Sequence, residues 1–140
     1  MELSNNKYVN YLLLLIFIAV TLSMFVSCNS ESYMNLLTGG SKRYWESPHK
    51  LFYYSFDKRT KRMVTYDENL KISYDNGLDL LSRGKRFRIV GNRVFTSWKV
   101  EGYTIPADTF DILEINSQRV VFEWKHGRPV TYVIYNGNGK

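Results

Sequence analysis

The chain has 140 residues, 44% of them hydrophobic, 16% aromatic and 23% charged, with a net charge of +6. That length accommodates one folded domain plus a targeting segment and excludes two independent cores. A single cysteine excludes an intrachain disulfide or a thiolate-based metal site, and two histidines leave little imidazole chemistry.

The first element is apolar. From Tyr11 to Val26 the sequence "YLLLLIFIAVTLSMFV" carries no charge, and Lys7 is the only basic residue before it. A run of about 16 residues lies between a secretory core and the length that spans a bilayer, so hydropathy leaves a cleaved leader and an uncleaved anchor both open. The stretch Phe25-Val26-Ser27-Cys28 favours cleavage because it resembles the bacterial lipobox, where small or aliphatic residues precede a lipidated cysteine. The resemblance implies that the Cys28 thiol takes a diacylglycerol and that cleavage frees its amine for a further acyl chain. Each buried methylene is worth about 0.8 kcal/mol, so two or three chains hold a protein on a membrane. The boundaries expected are a signal peptide over 1–27, a tether over 28–38 and a folded domain over 39–140. Lys7 and Glu2 cancel, so removing the leader leaves the charge at +6. The apolar end of the tether, at Met34, Leu36 and Leu37, suits a short helix or plug beneath the domain.

Beyond Arg43 the apolar period becomes two. In "RVVFEWK", Val120, Phe122 and Trp124 share one face, and in "KRFRIV", Phe87 and Ile89 oppose Arg86 and Arg88. Such alternation marks half-buried antiparallel strands. The pairs Gly91-Asn92, Glu101-Gly102, Asn116-Ser117 and His126-Gly127 punctuate them as turns. The strands expected are 43–47, 50–57, 61–67, 85–90, 93–101, 109–115, 118–125 and 129–136. The fold class is therefore all-β, a small antiparallel meander closed as a barrel or packed as a sandwich. Residues 68–84 interrupt the rhythm, and they read equally as a lid across a barrel opening or as a connecting loop.

The segments "LLTGGSKRYW", "FRIVGN" and "FDILEINSQRVVFEW" resemble the lipocalin-like lipoproteins of Bacteroidetes-type bacteria. That resemblance implies a lipocalin-like β-barrel of about eight strands behind a lipidated cysteine, held at the cell envelope on the outer membrane. It implies little about a ligand.

Catalytic signals are weak. His49 follows a proline and His126 sits at a turn tip, the aspartates flank turns, and no phosphate-cradling glycine loop opens a helix. No catalytic residue, metal or cofactor is assigned, and the chain reads as a non-enzyme. Two features remain. The first is the aromatic supply, which fills a small barrel or lines an apolar cavity; Trp45, Phe56, Phe122 and Trp124 are the residues expected inside. The second is the basic cluster Arg83, Lys85, Arg86 and Arg88, either a solvated strand face or a binding face for an acidic group. The expected partners are a membrane, through acyl chains on Cys28, and a small apolar or amphipathic ligand, but not nucleic acid. The alternative is a protein- or glycan-interaction module with a solid core and a basic binding face.

Overall fold

A computed structural model describes residues 2–73 and 84–137, side chains excepted at 2–5 and 23–28. Arg83, most of the 68–84 segment and the Cys28 side chain lie outside the described residues. The chain forms a long helix, α1 (Glu2–Thr38), followed by a closed barrel. The strands are β1 (Lys42–Glu46), β2 (Phe52–Asp57), β3 (Arg62–Asp67) and β4 (Lys85–Val90), then β5 (Arg93–Val100), β6 (Tyr103–Ile115), β7 (Arg119–Trp124) and β8 (Val130–Tyr135). Each pairs antiparallel with its sequence neighbours, and β1 pairs with β8 through Tyr44↔Tyr135, Trp45↔Ile134 and Glu46↔Val133. The all-β antiparallel meander is thus a closed eight-stranded barrel, consistent with a lipocalin-like fold.

Closing so small a barrel requires sharply bent strands, and bulges supply the bend. The register shifts between Phe95 and Ser97 where β5 meets β6, and between Ile112 and Glu114 where β6 meets β7. The first six residues of β6, "YTIPAD", fall outside the strand expected from sequence. Pro106 removes a ladder donor there, yet it is tolerated because it stands opposite Ser97, at the bulge. At Gly84 the backbone has φ +105°, and a Cβ would meet the Met63 carbonyl oxygen at 2.8 Å. Glycine there lets β4 approach β3 closely enough to pair.

The interior follows the period of two. Trp45, Phe56, Met63, Phe87, Val94, Phe110, Ile112, Val120, Phe122 and Tyr132 are buried in one cluster. Rings touch in series along it: Phe87 to Phe56 at 5.2 Å, Phe56 to Phe122 at 6.0 Å, Phe122 to Phe110 at 4.8 Å and Phe110 to Trp124 at 4.3 Å. Tilted and edge-on pairs of this kind add about 0.5–1.5 kcal/mol each beyond their burial.

The end of α1 seals one rim of the barrel. Residues 29–38, expected as a tether ending in a plug, are helical throughout, and Met34 and Leu37 join the core. The helix stops at a Gly-Gly pair: Gly39 takes φ +62° and the Gly40 N–H returns to the Asn35 carbonyl at 3.1 Å. Barrel side chains satisfy the last carbonyls of the helix. Trp45 Nε1–H donates to the Leu37 carbonyl at 2.9 Å, and Arg43 donates to that of Leu36 at 2.8 Å. Lys58 donates to Glu31 at 2.8 Å and to Asn35 at 2.7 Å, and the Gly91 N–H donates to Ser30 Oγ at 3.0 Å.

Residues Tyr8 to Leu22 behave differently. Leu12, Leu13, Leu14, Leu15, Ile16 and Phe17 are each more than half exposed, and the apolar side chains surround the helix on all sides. Among the described residues no helix is long and apolar enough to cross a membrane.

The Lys58 tie carries a pH dependence. Its ammonium group holds the Glu31 carboxyl below the ordinary carboxylate range, and the backbone N–H of Thr60 does the same for Asp57 in the adjoining turn. A folded value below the unfolded one stabilises above the ordinary carboxylate pKa, and the contribution is lost as pH falls through the depressed value. Protection factors of the amides of residues 58–61, taken against the intrinsic exchange rate at each pH, should therefore fall below about pH 4. Glu31→Gln should remove the share carried by the helix contact and leave that of Asp57. Hydrogen exchange across an acid titration measures both, and an unchanged profile in Glu31→Gln would dismiss the tie.

Candidate functional site

The four aromatic residues expected inside the barrel all belong to its inward faces, but they do not share one environment. Trp45, Phe56 and Phe122 are fully buried against other side chains, while Trp124 is half-buried at the rim opposite α1. Tyr54 stands beside it, 6.1 Å away ring to ring. Beneath them Tyr132 is buried, which pushes its phenol above the ordinary tyrosine range, while hydrogen bonds with Trp124 and Tyr54 act against that shift. A hollow of about 380 Å³ at this rim is lined by Asp108, Trp124, His126 and their neighbours.

The basic cluster divides across the wall. Successive residues of a strand face opposite sides, so Lys85 goes inward with Phe87, while Arg86 and Arg88 go outward. Lys85 pairs with Asp108 at 2.6 Å and lies 5.1 Å from the Trp98 ring, already engaged inside the mouth. Of the four residues expected as one patch, Arg83 lies outside the described residues, and the strand period separates Lys85 from Arg86 and Arg88.

What stands outside is a different basic face. Arg86 is directly opposite Arg62 on β3, and Arg88 is opposite Phe95 on β5, over whose ring it sits at 4.6 Å. Like charges placed directly across a sheet are destabilising. Asp57, the partner of Arg62 on its other side, relieves part of this. Among the described residues Arg86 and Arg88 form no ion pair, whereas Lys58, Lys85, Arg93 and Arg119 each do. Beside them the bulge opens a hollow of about 350 Å³, lined by Arg86, Arg88, Phe95, Ser97, Thr104 and Pro106 among others. Two guanidinium groups without an ion pair among the described residues, an aromatic plate and hydroxyls suit a phosphate or carboxylate.

A second outer feature is a group of tyrosines, which the sequence reading counts only within the general aromatic supply. Tyr44, Tyr53, Tyr66 and Tyr135 occupy the outer wall of β8, β1, β2 and β3. Tyr44 and Tyr66 are 5.7 Å apart and Tyr53 and Tyr135 are 4.9 Å apart. A hollow of about 400 Å³ runs between Tyr44, Tyr66, Leu70 and Tyr135. The alternation of "LFYYSFD" held the signal: Phe52, Tyr54 and Phe56 go inward, so Tyr53 must go outward.

His49 and His126 are both exposed, and no group of His, Cys, Asp and Glu among the described residues could hold a metal ion. Comparison of the chain with protein-family models, with curated proteins and with solved structures gives no match.

Proposed function

We propose that this chain is a lipoprotein of the bacterial cell envelope, anchored through Cys28, whose barrel works through its outer wall and not through a deep internal cavity. The observation that carries the reading is the pair Arg86 and Arg88: both outward, without an ion pair among the described residues, beside a hollow in the wall, with Arg86 set against Arg62 at a cost to stability. Its activity is then the capture of an acidic group on an envelope partner, without catalysis. The sealed interior supports the same reading, because Trp45, Phe56 and Phe122 occupy the space a buried ligand would need.

Replacing Arg86 and Arg88 by serine should move elution from a polyanionic column to markedly lower salt. The same variant should be equally stable or gain about 0.2–1 kcal/mol, because a like-charge contact disappears. Unchanged elution would end the basic-face reading. A small apolar ligand remains as a second reading at the rim, favoured by the half-burial of Trp124 above its hollow. Native mass spectrometry of protein purified from its own host separates the two, since a co-purifying small mass supports the rim and a clean apo mass supports the wall.

A further inference from the structure

We propose that the barrel rests directly on the membrane by the rim that α1 seals, with Arg59 and Lys61 against anionic phospholipid headgroups, so that it is held in one orientation. The inference rests on the membrane-anchored reading and adds to it the partner of this rim and the distance between barrel and bilayer.

The distance follows from the helix. Among the described residues its first tie to the barrel is at Ser30, which accepts from Gly91 in the β4–β5 turn. The apolar run of the sequence ends at Val26, and α1 is continuous between them. At 1.5 Å per residue these four steps amount to about 6 Å. One headgroup layer, half the difference between a whole bilayer and its hydrocarbon core, is about 5–7 Å. The β4–β5 turn therefore lies at the outer boundary of the headgroups. The result does not depend on processing: an acyl chain rooted at Cys28 is two residues from Ser30, closer still. Beyond Ser30, Lys58 ties Glu31 and Asn35, Arg43 ties Leu36 and Trp45 ties Leu37 to the barrel, so α1 reaches it without a flexible leash.

The charge on that rim matches. The turn joining β2 to β3 reads Lys58-Arg59-Thr60-Lys61 and is pinned to α1 by Lys58. Arg59 and Lys61 are exposed, and among the described residues neither forms an ion pair. The Lys61 carbonyl accepts from the Phe87 N–H at 2.9 Å, which fixes the turn against β4 without using its side chain. A basic residue near an anionic bilayer contributes about 1 kcal/mol, a factor of about five in the contact equilibrium.

The test uses the full chain in vesicles of phosphatidylcholine with or without phosphatidylglycerol, with detergent micelles as reference. Flotation first reports anchoring. Hydrogen exchange then reports orientation: residues 58–61 and 91–92 should slow on vesicles containing phosphatidylglycerol, whereas turns 101–102 and 125–127 at the other rim should not change. Arg59→Ser/Lys61→Ser should float equally well but lose about fivefold in protection for each charge removed. A chain that floats while both rims exchange alike, or whose protection ignores lipid charge, overturns the proposal and leaves the anchor standing. A chain that does not float overturns both.

Discussion

Trp45→Ala is expected to cost about 3–5 kcal/mol, enough to unfold a domain of ordinary stability or bring it to the edge. Two losses combine. The fully buried indole leaves a void beneath α1, and its Nε1–H no longer satisfies the Leu37 carbonyl. Trp45→Phe separates them, because it keeps most of the apolar volume and removes the donor. Its cost should be about 1–3 kcal/mol, the value of leaving a buried polar group unmatched. Urea unfolding followed by circular dichroism measures both without relying on the lost fluorophore. If Trp45→Ala fell within about 1 kcal/mol of the parent, α1 would not be the floor of the barrel.

Cys28→Ser is expected to abolish acylation and signal-peptide cleavage together. On the lipoprotein reading proposed above, the thiol would be the acceptor for the diacylglycerol, and the processing step would depend on that modification. A serine hydroxyl, far less nucleophilic than a thiolate at neutral pH, cannot substitute. Labelled palmitate should be absent, and the chain should migrate as the longer precursor. The variant should still pellet with membranes, because the apolar side chains around α1 from Tyr8 to Leu22 remain exposed. Normal processing of Cys28→Ser would remove the lipoprotein reading and leave the helix alone as the anchor.

The barrel was legible because its signal is local. "KRFRIV" and "RVVFEW" announce which side chains go inward, and β4 and β7 lie at or within one residue of where those patterns place them. The first half of β6 was hidden because Pro106 and the neighbouring bulge break alternation while the strand continues. The inward direction of Trp45, Phe56, Phe122 and Trp124 could be read from the period. Whether the rings meet or enclose a space depends on barrel radius and stagger, which no single strand encodes. The basic cluster shows the opposite failure: adjacency in "KRFR" suggested one patch, and the pleat sent Lys85 to Asp108 and Trp98 instead. Arg62, distant in sequence, became the neighbour of Arg86 only through the β3–β4 register.

Closure of the wall joins the two ends of the domain, since Tyr44 on the first strand pairs with Tyr135 on the last. For a chain delivered N-terminus first, the sheet has no seam to close until β8 has emerged. Contacts of such sequence separation slow folding, because chain entropy is lost before the pairing compensates. The topology thus acts as a timer: α1 can form while the rest of the chain is still extended, and the barrel completes only when its final strand arrives.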